Sequence, residues 1–408
     1  MDQRYSRVCV ARTGTPKHQR IHHAPIKSSG HRRDAHLADE PRGRRSSLSG
    51  AALNILLLND TANVGHVGCV AVADAHARML GRRGHRVVHR CFLGELARLA
   101  CPDADTGRSR ALADNDLMRM FDEVDAVVVN GEGTIHHGAG TEYLHVLGAA
   151  SSRGKRTLLV NCVLEEVVGF DEVLHALDDI TVRDLRSQRF LAGRGIASRL
   201  VYDSFLEAGF TGPPVADLQG RVVVTDWHHS RDPDVGQQLL QYLRGVPQHT
   251  GWFLPFLSRD IAQAWQRIPA TLAHARAVVT GRHHGVYAAA LAGVPFVAMS
   301  GNTHKIDGLI DGFPNLAFCL NPPSIQSALE EATERREEFR AAYRTMLAAR
   351  PLSTFDALGA STDLDGERRE LAQLADDCHK HASAFEVDLA YRVERRSLEM
   401  CLRPDPAG

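Results

Sequence analysis

The first half of the chain alternates short apolar runs with polar turns. Residues 53–60 (LNILLLND) form a short run rich in apolar side chains, which predicts a strand buried on both faces. A glycine-containing turn at residues 63–68 precedes residues 71–80, whose apolar spacing predicts a helix. Residues 85–94 predict the next strand. Together these segments are typical of a β-α-β unit.

Similar runs continue along the chain and fall into two sets. Further strands are predicted at residues 124–133, 156–164 and 180–184, and in the second set at residues 221–227, 251–257, 275–281 and 294–300. Because the stretches between them are long enough for helices, parallel and doubly wound sheets are expected. Residues 211–220 concentrate Pro and Gly between the two sets, which predicts a domain boundary there.

The pattern therefore predicts an α/β protein with two Rossmann-like domains facing a cleft, followed by C-terminal helices. The N-terminal domain is expected at residues 51–210, the C-terminal domain at residues 211–350 and a helical extension at residues 351–408. Highly charged segments of helical period at residues 324–349 and 366–402 supply the last helices. Residues 1–50, rich in Arg, His, Ser and Gly, are expected to be a mostly disordered basic tail; a polyanion-binding arm is the alternative.

Composition narrows the class of protein. A chain of 408 residues exceeds what one core usually organises, and a formal charge of −1 gives no general attraction to nucleic acid or membrane. Eight cysteines without a CxxC pair disfavour a zinc site or a disulfide framework, and free thiols favour the cytoplasm. No run reaches the roughly 20 apolar residues that cross a bilayer. A globular protein without a transmembrane segment is expected.

The segment NGEGTIHHG, at residues 130–138, directly follows a predicted strand. Ligands of open α/β sheets bind beyond the carboxyl ends of strands. Gly131 and Gly133 permit close backbone approach, Glu132 offers a carboxylate, and His136 offers an imidazole. The spacing is not a full GxGxxG, and a tight strand-to-helix turn explains the glycines equally well.

A stronger signal lies at residues 280–300 (TGRHHGVYAAALAGVPFVAMS), where a strand ends at Arg282, His283 and His284 before a helix. A guanidinium and a helix N-terminus favour a bound carboxylate or phosphate. Lys305, beyond the next strand, adds a second cation. The alternative is that Arg282 pairs with an acid and one histidine packs in the core.

Three weaker patterns leave their alternatives open. Arg183 and Asp184 end another predicted strand and are as consistent with an internal ion pair as with ligand contact. Trp227, near His228 and His229, is equally consistent with a platform for a sugar or base and with packing. The 22 histidines show no HExxH or paired Cys/His spacing, so no metal site is predicted.

Three segments, in this order, resemble the polysaccharide pyruvyl transferase family. They are the strand with residues 130–138, residues 182–196 (VRDLRSQRFLAGRGI) and residues 280–305, and the resemblance extends over about residues 53–311. It implies a GT-B-like fold and transfer of the enolpyruvyl unit of phosphoenolpyruvate onto sugar hydroxyls, usually as a cyclic ketal. The implied partners are phosphoenolpyruvate, as donor substrate with no further cofactor, and a glycan or lipid-linked saccharide acceptor.

The resemblance assigns roles to particular residues. Arg282, His284 and Lys305 take the positions that handle phosphoenolpyruvate, with His284 as the expected acid because imidazole titrates near neutrality. The chain departs from the family where Gly65-His66 and Gly68-Cys69 stand in place of a Gly-Asp pair, and where Glu132, a candidate base, interrupts a Gly-Gly-Gly loop. Further substrate contacts are expected from His283, Arg183, Asn130, Gly131, Gly133, His136, Asn63 and Gly65.

Two other functions remain open at this point. A glycosyltransferase that uses a nucleotide sugar would fit the same two-domain cleft. A catalytically silent module that binds a glycan or an anion is the second alternative, since the first loop departs from the family pattern. The sequence does not address the oligomeric state.

Overall fold

Two parallel β-sheets form the framework of the protein. The computed structural model describes residues 51–212, 218–228, 233–245, 250–349, 353–360 and 366–380. The first sheet contains β1 (Asn54–Asp60), β2 (Arg86–Phe92), β3 (Ala126–Glu132), β4 (Arg156–Cys162), β5 (Asp179–Val182) and β6 (Arg199–Leu200). They are arranged in the order β2-β1-β3-β4-β5-β6, and all of their pairings are parallel.

Helices connect the strands of this sheet. They are α1 (Val67–Arg82), α2 (Ala104–Leu112), α3 (Asn115–Glu123), α4 (Thr141–Ser152), α5 (Asp171–His175) and α6 (Leu185–Ala192). Short 3-10 helices lie at Ala97–Leu99 and Ser204–Glu207.

The second sheet contains β7 (Val222–Trp227), β8 (Gly251–Phe253), β9 (Ala277–Gly281) and β10 (Phe296–Ala298), in the parallel order β10-β9-β7-β8. Its helices are α7 (Pro233–Gly245), α8 (Arg259–Gln263), α9 (Ile268–Leu272), α10 (His283–Ala292), α11 (Lys305–Ile310), α12 (Ile325–Glu334), α13 (Arg336–Ala348) and α14 (Gly366–Lys380). Further 3-10 helices lie at Trp265–Arg267, Pro314–Cys319 and Asp356–Leu358. The predicted α/β class with parallel sheets and C-terminal helices is confirmed.

The strand order defines where each sheet is built to bind. In the first sheet the chain winds from β1 outward to β2 and then returns to β3 on the other side of β1. In the second sheet it does the same with β7, β8 and β9. Ligands of doubly wound sheets bind at such switch points, beyond the carboxyl ends of the strands. The two switch points are therefore the ends of β1 and β3 and the ends of β7 and β9.

Three predicted elements differ from the observed ones. The helix predicted from residue 71 begins at Val67, because the His66 ring accepts hydrogen bonds from the N–H groups of Gly68 and Cys69. The strand predicted at residues 251–257 ends at Phe253, since Pro255 has no N–H to donate to a sheet.

The helix predicted at residues 324–349 is divided at Arg335, whose guanidinium bonds Glu331, Glu338 and the carbonyl of Asn315. The two-residue edge strand β6 carries too little pattern to be predicted. Residues 1–50, residues 213–217 of the predicted boundary and residues 381–402 of the predicted last helix lie outside the described residues. The domain boundaries stay predictions, and both sheets belong to one compact unit, Ser47–Gly408.

Helix α14 returns to the first sheet and packs closely on α1. A Cβ added to Gly81 would lie 2.3 Å from the Cα of Glu367, and one added to Gly366 would lie 2.2 Å from the Gly81 carbonyl oxygen. Beside this contact, the buried Arg90 guanidinium of β2 pairs with Asp60 and with Glu370 of α14. Helix α14 is therefore held by close backbone approach to α1 and by a buried ion pair with β2.

Within the described part of the chain, none of the helices has the length and apolar character required to cross a bilayer.

The close approach of α1 and α14 gives a stability prediction. Gly81→Ala places a methyl group against backbone that cannot rotate away, so we expect a loss of about 1–3 kcal/mol in the free energy of unfolding and a lower Tm. Gly193→Ala is the matched control, because its φ is −64° and the nearest atom would lie 3.4 Å from the added Cβ. Thermal unfolding measures both variants, and equal Tm values would contradict the packing.

Candidate functional site

An asparagine ladder crosses the carboxyl end of the first sheet. Asn59 and Asn161 lie in β1 and β4 with φ of 55° and 54°, a left-handed conformation that asparagine tolerates better than most residues. The Asn59 amide donates to the Asn130 carbonyl at 2.5 Å, and the Asn161 amide donates to Asn130 Oδ1 at 3.5 Å. Asn161 Oδ1 in turn accepts the Ser204 N–H at 3.1 Å. The ladder fixes the loops that follow three adjacent strands.

Glu132 ends β3 at the switch point of the first sheet. Its φ of 37° is also left-handed, and its carboxylate is buried. Thr61 Oγ1 donates to this carboxylate at 3.1 Å, and Cys69 Sγ approaches it at 3.7 Å. Burial and the nearby Glu132 raise the pKa of the Cys69 thiol well above its usual value, so the thiol stays protonated.

Arg282 lies at the switch point of the second sheet, where it caps α10. Its Nη2 donates to Asp226 Oδ2 at 2.9 Å, and both groups are buried. The Asp226 carboxylate also accepts the N–H groups of Phe256 and Leu257, at 2.7 and 3.1 Å. The alternative that Arg282 pairs with an acid is thus observed, and this acid fixes the guanidinium at the mouth of the sheet.

The carboxylate of Asp203 is fully buried and contacts residues next to both sheets. Arg183 Nη1, from the end of β5, donates to its Oδ2, and the Nε2 atoms of His283 and His284 on α10 each lie 3.5 Å from the same oxygen. Burial alone would raise the pKa of Asp203, but Arg183 and His284 hold it well below the usual range. Arg183 therefore pairs with Asp203 rather than with its neighbour Asp184.

The two adjacent histidines have different surroundings. Burial and the Arg183 guanidinium lower the pKa of His283 to about 3, so this ring is neutral and serves the core. The ring of His284 stacks on Phe205, with centroids 5.4 Å apart, and lies 5.8 Å from the ring of His66. A Cβ on Gly68 would lie 1.8 Å from His284 Nδ1, so only glycine fits in this turn of α1.

Lys305 reaches across to the first sheet. A methyl group at Gly133 would lie 3.2 Å from Lys305 Nζ and 3.6 Å from Arg183 Nη2. Burial and the positive charges of Arg183 and Arg282 lower the pKa of Lys305 to about 7, although Glu132 opposes the shift. We refer to Arg183, Arg282 and Lys305 as the cationic cluster. The backbone at Gly133 therefore lies close to two members of this cluster, Lys305 and Arg183.

The loop before α11 is tied to the first half by polar contacts. The His304 N–H donates to Glu165 Oε2 at 2.9 Å, and its ring shares a hydrogen bond with Ser187 Oγ at 3.1 Å. Asn302 accepts from Lys305 Nζ at 2.8 Å and lies 3.4 Å from His136 Nε2. His136 is thus linked to the cationic cluster through Asn302.

Several other predicted site residues take part in packing or in hydrogen bonds of the fold. Gly131 lacks a side chain because a Cβ there would lie 2.2 Å from Cys162 Cβ on β4. The Asn130 side chain belongs to the asparagine ladder. Asn63 and Gly65 lie in the loop before α1, where a Cβ on Gly65 would touch the Arg259 side chain at 2.8 Å. Their contact with substrate stays a prediction.

Trp227 is 2% exposed, and its Cβ would lie 2.2 Å from a Cβ added to Gly281 on β9. The ring therefore packs in the second sheet and does not form an open platform. His228 is exposed, whereas His229 lies outside the described residues. Among the residues described, no cluster of three or more His, Cys, Asp or Glu side chains is arranged to hold a metal ion.

Sequence reasoning missed the two acids that hold the arginines. Asp203 follows the short strand β6 in the segment VYDSF, which has no periodic signal of its own. Asp226 lies next to Trp227 in β7, and no local pattern assigns it to Arg282. A repeated pattern would have helped: the segments LLLN, VVVN and LLVN each end a buried strand with asparagine.

The fold and the site together define a class of protein. Two doubly wound sheets that bring cationic side chains to their switch points are typical of enzymes that bind phosphorylated small molecules. The family model of polysaccharide pyruvyl transferase matches residues 66–303, more than half of the chain. The chain therefore belongs to the polysaccharide pyruvyl transferase family. The comparison with curated proteins gave no match.

Several solved structures have a similar course of the chain at low sequence identity. Phytolacca americana UGT2 complexed with UDP-2-fluoro-glucose and pterostilbene has 10% identity and a TM-score of 0.43, with 80% of this chain and 100% of that chain covered. Anabaena HepE in complex with UDP-glucose has 14% identity and a TM-score of 0.42, covering 79% and 100%. UDP-GlcNAc 2-epimerase from Methanocaldococcus jannaschii has 11% identity and a TM-score of 0.39, covering 79% and 99%. Superpositions this loose assign neither a ligand nor a reaction to this chain.

The lowered pKa of Lys305 gives a prediction about stability. A lysine in the unfolded chain titrates near 10.4, so between about pH 7 and 10 the unfolded state binds more protons than the folded state. The destabilisation by Lys305 is therefore complete below pH 7 and decreases as the pH rises. We expect Lys305→Met to raise the Tm at pH 6.5, with a smaller gain at pH 9.

The matched control is Lys155→Met, because Lys155 is also half-buried and its ammonium donates to a single carbonyl, that of Val124, at 2.9 Å. This variant should gain nothing at either pH. Thermal unfolding of both variants at the two pH values decides the matter, and a Tm of Lys305→Met below that of the wild type at pH 6.5 would contradict the prediction.

Proposed function

We propose that this protein transfers the pyruvyl unit of phosphoenolpyruvate onto hydroxyl groups of a saccharide acceptor and forms a ketal. One observation supports the donor: Lys305 and Arg183 both lie beside Gly133, and burial together with Arg183 and Arg282 lowers the pKa of Lys305 to about 7 despite the nearby Glu132 carboxylate. Repulsion between neighbouring cations favours a bound anion. Phosphoenolpyruvate, a small and highly charged anion, is a ligand that such a site binds well.

The proposed reaction begins with protonation of the donor. An acid delivers a proton to the methylene carbon of the enolpyruvyl group, which leaves an oxocarbenium-like centre at the neighbouring carbon. A sugar hydroxyl attacks that carbon and loses its proton to a base. The bond between this carbon and the phosphate oxygen then breaks, phosphate leaves, and a second hydroxyl closes the cyclic ketal.

His284 is the proposed acid, and the cationic cluster stabilises the phosphate as it leaves. His284 lies at the start of α10, so its imidazole is close to Arg282 and to the first turn of α1. Glu132 is the proposed base, with His136 as the alternative. The buried Glu132 carboxylate is oriented by Thr61 and Cys69, which favours a fixed position for proton transfer.

The acceptor is proposed to be a glycan or a lipid-linked saccharide, as the family description suggests. A ketal needs two hydroxyls of one sugar within reach of the same carbon, so the acceptor must enter near the carboxyl ends of both sheets. A pyruvylation assay over a panel of free and lipid-linked glycans identifies the acceptor sugar.

The assignment predicts the effect of two substitutions. Arg282→Ala and His284→Ala should each lower kcat/KM by at least about 100-fold, because one loses a charge that binds phosphate and the other loses the acid. Transfer is measured as acceptor-dependent release of phosphate from phosphoenolpyruvate. Arg153→Ala and His89→Ala, which alter partly exposed ion pairs elsewhere on the first sheet, should leave kcat/KM unchanged.

Wild-type turnover in both site variants would show that the site is assigned wrongly. Thermal protection separates the proposal from the alternatives, since phosphoenolpyruvate should raise the Tm whereas nucleotide sugars should not. Protection by a nucleotide sugar alone would favour a glycosyltransferase. Binding of phosphoenolpyruvate without any phosphate release across the acceptor panel would favour a silent binding module.

Donor binding should also take up a proton. At pH 8 the phosphate is fully ionised, with its second pKa at about 6, whereas Lys305 is mostly neutral because its pKa is about 7. A bound anion favours the ammonium form, so the affinity for phosphoenolpyruvate should fall as the pH rises from 7 to 9. Titration calorimetry in buffers of different ionisation enthalpy measures the uptake.

In Lys305→Met, binding should be weaker and should vary little over the same pH range. A wild-type affinity that is constant from pH 7 to 9 would show that Lys305 does not contact the donor.

A further inference from the structure

The carboxylate of Asp203 contacts several side chains and backbone groups in the interior of the protein. It is fully buried, it pairs with Arg183, and it lies 3.5 Å from a ring nitrogen of both His283 and His284. Its Oδ1 accepts the N–H of Phe205 at 2.9 Å, and its own N–H donates to the Tyr287 hydroxyl at 3.4 Å. The carboxylate is thus fixed from the backbone as well as from its side-chain partners.

This position connects the first sheet to the proposed acid. Arg183 follows β5, whereas His284 belongs to α10 of the second half, and Asp203 is the group that both approach. A buried arginine requires a counter-charge, since an unpaired charge in the interior costs several kcal/mol. The same negative charge favours a cationic imidazole nearby. One carboxylate therefore serves a guanidinium from the first sheet and an imidazole from α10.

We propose that Asp203 is a positioning residue of the transfer site, which places a negative charge against the His284 imidazole and holds the Arg183 guanidinium in one orientation. This inference rests on the proposed function, in which His284 delivers the proton. Asp203 itself does not touch the donor, because its carboxylate is enclosed by its protein partners. It acts through the residues that surround it.

Other groups around Asp203 and His284 act on the same equilibrium. The charged and titratable side chains that face them are His66 and His76 of α1, Glu132 of β3, Arg183, Arg282, Lys305, and His283 and Tyr287 of α10. Burial lowers the pKa of His66 well below its usual value, and burial lowers that of His283 to about 3, so neither ring supplies a positive charge near neutrality. Asp203 is the carboxylate closest to His284 among the contacts of the described residues.

The test replaces the charge and keeps the shape. Asp203→Asn leaves Arg183 without its counter-charge beside His284, so we expect kcat to fall by about 10- to 100-fold. The alkaline limb of the kcat profile, which reports loss of the proton from the acid, should move to lower pH because the neighbouring negative charge is gone. A purely structural role would lower the amount of folded protein without moving this limb.

Two further variants keep the test decisive. Asp203→Glu retains the charge but displaces it, so kcat should fall while the alkaline limb stays in place, and this variant serves if Asp203→Asn does not fold. Asp74→Asn is the matched control, since Asp74 is a buried carboxylate that pairs with Arg78 on the outer part of α1. It should lower stability without changing the kcat profile.

A readout without turnover separates this inference from the proposed function. In 15N-histidine NMR of the free protein, the imidazolium signal of His284 should disappear at a lower pH in Asp203→Asn than in the wild type. If the signal and the alkaline limb are both unchanged in a folded Asp203→Asn protein, the inference is wrong. If the signal moves but no acceptor supports phosphate release in the wild type, the proposed function is wrong and the electrostatic role of Asp203 stands.

Discussion

The buried ion pair between Arg183 and Asp203 is the interaction on which the site depends. It joins the end of β5 to the segment that passes beneath α10, and it lies where both sheets present their carboxyl ends. Breaking such a pair by removing one partner is far more costly than removing both, because a single charge remains without compensation. The pair therefore fixes the position of the loops around it and sets the electrostatic environment of the neighbouring histidines.

The second pair, Arg282 with Asp226, repeats this arrangement at the other switch point. In both cases an arginine at a strand end is oriented by a buried acid. A guanidinium has five N–H donors, so it can retain its acid and still present other donors to a ligand. Lys305 adds a charge that is suppressed in the free protein, and a bound anion would restore it. This arrangement suits the strongly charged donor proposed above.

Glycines allow the side chains of the site to pack directly against the backbone. Gly68 leaves room for the His284 ring, and Gly133 leaves room for Lys305 and Arg183. Left-handed residues bend the ends of three adjacent strands, and one of them, Glu132, places a carboxylate at the switch point. Backbone in sparsely populated conformations is commonly concentrated at functional sites, where the surrounding structure holds it. Here the asparagine ladder holds these backbone conformations in place.

The sequence by itself determined the two parallel sheets, the position of Glu132, Arg282 and His284 at or just after strand ends, and the family. Those features follow from local patterns, since buried strands are short apolar runs and site residues come directly after them. Only the tertiary structure decided which acid holds which arginine, that His283 and Trp227 are buried, and that Gly131 serves the packing of β3 on β4. These facts depend on contacts between residues far apart in the chain, and no local pattern records which partner a buried charge will meet.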